Sequence, residues 1–249
     1  MRVTESLAVI GSLQYGLSGS FDCSVYALRG PGGIVLIDSG GGTDTDRLLD
    51  NLARDLGRDA VKAVLLTHCH PDHCAGAAPL RHATGCRVAA PEMTADALER
   101  GDEDALALTE ARESGVYPKN FRILPCPVDH RLRDGVFFEA AGLGFAPIHV
   151  RGHSEDSFVI RTTVDGHTWL FSGDAVFYGG VLGVINAEGS GMDGYRRDLP
   201  KLSGLGVEGL FPGHGLFTLR GGQRHLDAAL AQARGGFLPR QIGQGDFIF

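Results

Sequence analysis

No stretch of this 249-residue sequence approaches the ~18–20 consecutive apolar residues that span a bilayer, and no cluster of Lys and Arg offsets its net charge of −7. The first absence predicts no membrane partner. The second removes the field that draws polyanions by counterion release, so nucleic acid is not expected as a partner either. The start, Met1-Arg2-Val3-Thr4-Glu5-Ser6, lacks the basic region and apolar stretch of a secretory signal. Five cysteines (Cys23, Cys69, Cys74, Cys86, Cys126) form an odd set at irregular spacing, which predicts reduced thiols and a cytoplasmic location rather than a disulfide framework. No linker, composition shift or internal repeat divides the chain, and it reads as a single domain over 1–249.

What is present is a chain able to build a sizeable core, with 43% hydrophobic and 21% charged residues. Glycine, at 37 residues, is about twice its usual share and predicts many tight turns. Leu7–Ile10, Ser24–Arg29 and Gly33–Asp38 read as a strand meander. Thr43 is placed to cap a helix carrying Leu48, Leu49, Leu52 and Leu56 up to Gly57. The buried strand Val61–Leu66 runs into Thr67-His68-Cys69-His70-Pro71-Asp72-His73, so that polar cluster falls at a strand's carboxyl end, where open α/β sheets place their sites.

A helix over Ala75–Ala83 and a strand over Arg87–Ala90 follow. Residues 92–114 then hold eight acids against two arginines, predicting one or two amphipathic helices with a solvated acidic face. Strands are expected over Val136–Ala140, Gly144–Val150, Phe158–Thr163, Thr168–Phe171 and Gly209–Phe211. Helices are expected near Gly194–Leu202 and over Gln223–Ala233. Two sheets packed face to face with helices outside satisfy that order.

The chemistry concentrates in His68-x-His70-x-Asp72-His73, followed by His153, Asp174 and His214, each beside glycine. A chance H-x-H-x-D-H in such a chain has odds on the order of one in a thousand. In an extended segment residues two apart project the same way, so His68 and His70 can share a metal while Asp72 and His73 turn towards a neighbouring point. Imidazole with carboxylate suits zinc, iron or manganese. Alternation points Cys69 away from that site, and Cys69 and Cys74 are expected in packing roles. His82, His130, His149, His167 and His225 fall outside the pattern, and His225 is expected to be solvated on the terminal helix.

At these residues the chain resembles the metallo-β-lactamase fold superfamily of metallo-hydrolases, in its glyoxalase II-like and lactonase-like branch. Leu36-Ile37-Asp38-Ser39-Gly40, the H-x-H-x-D-H block, Gly152-His153-Ser154, Gly173-Asp174 and Gly213-His214-Gly215 match the family's five motifs in order. The resemblance implies a four-layer αββα sandwich with the metal site at the edge of the two sheets. It implies that His68, His70 and His153 hold a first metal, that Asp72, His73 and His214 hold a second, and that Asp174 bridges them. Asp38 would sit behind the ligands, orienting a histidine or the loop. The long separation of His73 from His153 marks about 92–130 as an insertion near the substrate mouth.

The resemblance further implies two divalent ions, zinc foremost, sharing a hydroxide that attacks a small organic ester, thioester or lactone, with Asp72 moving the proton. Tyr178 is placed to bond a substrate carbonyl, although lactone-cleaving relatives carry their tyrosine where this chain has Phe177. Asp174 stands where metallo-β-lactamases proper carry Cys or Ser, which disfavours antibiotic hydrolysis. The residues after His214 are too few for the helical domain of a full glyoxalase II. A mononuclear iron dioxygenase acting on a persulfide, using only His68, His153 and Asp174, is the rival reading. A closed structural zinc site is a third, and those are usually cysteine-rich. The apolar Phe247-Ile248-Phe249 suits either a homo-oligomer contact or docking on its own domain.

Overall fold

The computed structural model describes residues 1–236 and 239–241, so Phe247-Ile248-Phe249 lies outside the described residues. The chain divides into two compact units, Met1–Leu132 with Glu139–Gly142, and Arg133–Phe138 with Leu143 onward. Among the described residues no helix is long and apolar enough to cross a membrane.

The first unit is built on a six-stranded mixed sheet whose spatial order follows the sequence. β1 (Leu7–Gly11), β2 (Val25–Gly30) and β3 (Gly33–Ile37) form the antiparallel meander. β4 (Val61–Leu65), β5 (Arg87–Pro91) and β6 (His130–Leu132) continue parallel to β3. Parallel neighbours need crossovers, and these are helical. α1 (Thr45–Leu56) joins β3 to β4, α2 (Pro71–Cys74) and α3 (Ala77–Thr84) join β4 to β5, and α4 (Glu92–Arg100) and α5 (Leu108–Glu113) precede β6. Leu48, Leu52 and Leu56 recur every fourth residue, so α1 buries one stripe in the core with Ile34, Leu36, Val64 and Val88.

Two local expectations need correction, and one strand was not expected. Helix α1 begins at Thr45 with Asp44 as its cap residue, not Thr43, because the chain still turns through left-handed Gly42 (φ +75) immediately before Thr43. The helix expected from Ala75 is preceded by α2, started by Pro71, whose fixed φ suits a first helical position. Strand β6 is three residues long and carries no periodic signal. In the acidic segment Asp96, Glu99, Asp104, Glu110 and Glu113 are exposed, while Glu103 is drawn in to Arg112 at 2.5 Å.

A second sheet is five-stranded and mixed. Its members are β7 (Phe138–Ala140), β8 (Leu143–His149), β9 (Phe158–Val164), β10 (His167–Gly173) and β11 (Gly209–Pro212), in the order β11-β10-β9-β8-β7. β8, β9 and β10 run antiparallel, and β11 lies parallel to β10. α6 (Met192–Asp198) runs into a 3-10 turn at Leu199–Leu202, and α7 (Gly222–Arg234) buries Leu226, Ala229 and Ala233 with Val159, Leu170 and Leu210. His225 shares that buried face. It is 4% exposed rather than solvated, and its Nδ1 accepts the Gly179 N–H at 2.9 Å.

Candidate metal centre

In the first unit the ligand-type residues sit just past the carboxyl ends of two adjacent parallel strands. β3 ends at Ile37, and Asp38 follows with φ +62, a left-handed conformation that Asp tolerates better than most residues. β4 ends at Leu65, and Thr67, His68 and His70 follow before α2 turns Asp72 and His73 back. His68 thereby meets both other imidazoles, with ring centroids 4.6 Å from His70 and 4.1 Å from His73. His73 Nε2 lies 3.6 Å from Asp72 Oδ2. Loop packing demands glycine here, since a Cβ on Gly40 would come within 2.5 Å of Asp22 Oδ1.

Asp38 organises this cluster from behind. It accepts the Thr67 N–H at 2.7 Å and the Thr67 hydroxyl at 2.9 and 3.0 Å, and its Oδ2 lies 2.9 Å from His73 Nδ1. The carboxylate can only accept, so Nδ1 of His73 carries the proton and Nε2 is left as the donor atom. The Thr67 hydroxyl, having given its proton to Asp38, accepts from His68 Nδ1 at 3.1 Å and sets the same tautomer there. Cys23, Asp38 and His73 also place ligand-type atoms within 4.8 Å of one another.

Sequence reasoning missed Cys23, and it missed Tyr117, whose hydroxyl donates to Asp72 Oδ1 at 3.1 Å. Burial pushes the Cys23 thiol and the Tyr117 phenol upward, and the charge of Asp72 adds to the effect on Tyr117, so both stay protonated. Cys69 and Cys74 are buried in the core, where Cys74 Sγ donates to the Cys69 carbonyl.

In the second unit His153, Asp174 and His214 all follow the carboxyl ends of strands that run the same way, β8, β10 and β11. Asp174 Oδ2 lies 3.7 Å from His153 Nε2 and 3.5 Å from His214 Nε2. Those separations are too long for hydrogen bonds. Two ligands at ~2.1 Å from one tetrahedral ion stand ~3.4 Å apart, so the donors have the spacing and the chemistry of a metal site. His153 Nδ1 donates to the Gly183 carbonyl at 2.7 Å, which again frees Nε2 for a ligand's role.

Tyr195 braces this half from α6. Its hydroxyl accepts the Gly183 N–H at 3.1 Å, and its ring fills the space where Gly152 would carry a Cβ. After His153 the Glu155-Asp156-Ser157 turn closes on itself, Ser154 Oγ donating to Asp156 Oδ1 at 2.7 Å. Tyr178 lies on the turn Tyr178–Gly180, with its ring 4.3 Å from the His225 imidazole, while Phe177 is buried. His82 and His167 are exposed, and His149 stacks on Phe158 at 4.9 Å.

The profile of the Metallo-beta-lactamase superfamily matches residues 19–214. The chain belongs to that superfamily. Its α/β architecture is that of the metallo-β-lactamase fold: a Cronobacter sakazakii metallo-β-lactamase with a HARLDQ motif superposes with a TM-score of 0.70 at 21% identity, over 94% of this chain and 90% of that one. A metallo-β-lactamase family protein of Thermus thermophilus gives a TM-score of 0.68 at 21% identity, over 92% and 80%. In sequence, an uncharacterized protein of Mycobacterium tuberculosis is 29% identical over 84% of this chain and 92% of its own length. A hydroxyacylglutathione hydrolase of Albidiferax ferrireducens is 31% identical over 48% of this chain, a match spanning 36% of that enzyme.

Proposed function

We propose that the two units act as one domain and that His68, His70, Asp72, His73, His153, Asp174 and His214 form a dinuclear metal centre hydrolysing a small organic ester, thioester or lactone. His68, His70 and His153 would hold one ion and Asp72, His73 and His214 the other, with Asp174 available to both. The observation that carries the reading is Asp174 Oδ2, set between two imidazole nitrogens at 3.7 and 3.5 Å. Superfamily membership and the partial likeness to a hydroxyacylglutathione hydrolase support it. Five free cysteines, all buried, support a cytoplasmic setting.

When bound, a pair of divalent ions, zinc first and iron or manganese next, supplies a nucleophile from water at neutral pH and a Lewis acid for the substrate oxygen. The chain does the rest. Asp38, Thr67 and the Gly183 carbonyl hold three imidazoles through Nδ1, leaving each Nε2 as the atom that would meet a metal. Asp72 accepts the proton released on attack and returns it to the leaving group. Tyr178 orients the substrate carbonyl.

Metal analysis joined to a panel of thioesters, lactones, esters and phosphodiesters tests this, run beside Asp72→Ala and Tyr178→Phe. The parent is expected to carry near two metals per chain and to turn over one of the carbonyl classes. Asp72→Ala loses turnover, and Tyr178→Phe loses turnover with its metal content intact. One iron per chain with oxygen consumption on a persulfide overturns the reading.

A further inference from the structure

The ring of Tyr117 is held against Phe21 and Phe121, with centroids at 5.4 and 4.7 Å, and those two rings meet edge to face at 5.4 Å. Tyr117 is only 8% exposed, and packing of this kind leaves a phenol a single orientation. Its hydroxyl donates to Asp72 Oδ1 at 3.1 Å, across 45 positions of sequence. The other oxygen of Asp72, Oδ2, lies 3.6 Å from Nε2 of His73. Two donor atoms thus stand side by side, each held from behind. Asp38 fixes the imidazole through Nδ1, and Tyr117 fixes the carboxylate through Oδ1.

The Asp72 side chain is 20% exposed, and a carboxylate beside a metal ion can present one oxygen or both. A hydrogen bond to one of the two oxygens selects between those modes. We propose that Tyr117, just after α5, is a positioning residue that occupies Oδ1 of Asp72 and so makes it a one-oxygen ligand, Oδ2 beside Nε2 of His73. The inference rests on the reading of Asp72 and His73 as ligands of one ion.

Two variants separate position from packing. Tyr117→Phe keeps the ring and removes only the hydroxyl, whereas Phe121→Leu loosens the ring cluster and keeps the hydroxyl. Each is compared with the parent by chelator competition with Zn²⁺, by the visible absorption of the Co²⁺-loaded protein, and by the melting temperature of the metal-free protein. Tyr117→Phe is expected to weaken one metal equivalent by about 10- to 100-fold, to leave the other unchanged and to shift the Co²⁺ bands of the affected site. Its metal-free melting temperature stays at the parent's value. Phe121→Leu lowers that temperature and leaves both affinities alone.

Tyr117→Phe binding both equivalents as tightly as the parent, with unshifted Co²⁺ bands, overturns the proposal and leaves the dinuclear reading standing. Equal weakening of both equivalents, matched by Phe121→Leu, marks a packing role and overturns it too. A parent that binds fewer than two equivalents brings down the reading and the proposal together.

Discussion

Oδ2 of Asp38 lies 2.9 Å from Nδ1 of His73, and both side chains are almost fully buried. The pair fixes the tautomer of His73, and the same carboxylate reaches His68 through Thr67. Asp38→Asn keeps a residue type that accepts φ +62 but loses the charge, so it is expected to fold and to bind metal about 10- to 100-fold more weakly. Asp38→Ala additionally strands the buried Thr67 N–H and is expected to cost about 1–3 kcal/mol of stability. Chelator competition reads the first effect and thermal unfolding the second. Parent-like metal affinity in Asp38→Asn would contradict this account of the carboxylate.

Gly183 is a second lever, this time in the other unit. A Cβ there would come within 1.9 Å of the Asp174 carbonyl oxygen and 3.0 Å of His153 Nδ1. Gly183→Ala therefore has to displace the backbone at Asp174 and the ring of His153. A loss of ~1–3 kcal/mol is expected, together with weaker metal binding. Gly191→Ala, where a Cβ would meet nothing within 4 Å, serves as the control and should stay within ~0.5 kcal/mol of the parent.

Asp198 predicts an acid limit to stability. Burial raises its carboxyl, but the Arg151 guanidinium at 2.6 and 3.1 Å, the Arg151 N–H and Lys201 outweigh that and hold it at about 2. A carboxyl depressed from 3.8 contributes stability above its unfolded value that disappears as pH falls through about 2. Asp198→Asn is expected to lose roughly 2 kcal/mol near pH 7 and to show a flatter acid limb in a series of melting temperatures.

His225 acts at milder pH. Burial, with the nearby Arg224 charge, lowers its pKa from 6.5, and its Nδ1 must stay unprotonated to accept the Gly179 N–H. The unfolded chain then takes up the proton first, so stability is complete above about 6.5 and declines as pH falls from there towards the folded value. Melting temperatures taken downward from pH 7.5 should fall in the parent and fall less steeply in His225→Gln. An identical slope would remove His225 as the cause.

The ligand-type residues were legible because H-x-H-x-D-H is short, local and rich in one rare residue type, and because each later partner adjoins a glycine at a strand end. The strands were legible from apolar runs such as Ile34-Val35-Leu36-Ile37. Tyr117, Tyr195 and Gly183 were not, since each acts through a contact distant in sequence and carries no spacing signal. His225 was misread although its periodicity held the answer: it falls with Gly222, Leu226, Ala229 and Ala233 on the face of α7 that is buried. Helix α2 was hidden because four residues beginning with proline read as a turn.

Seven imidazole and carboxylate groups, from His68 to His214, are proposed here as the ligands of two ions. Anomalous diffraction from crystals of the metal-loaded protein tests this most directly. Two peaks ~3.5–4 Å apart are expected, one ringed by His68, His70 and His153, the other by Asp72, His73 and His214, with Asp174 between them. A single peak, or peaks away from these side chains, would contradict it.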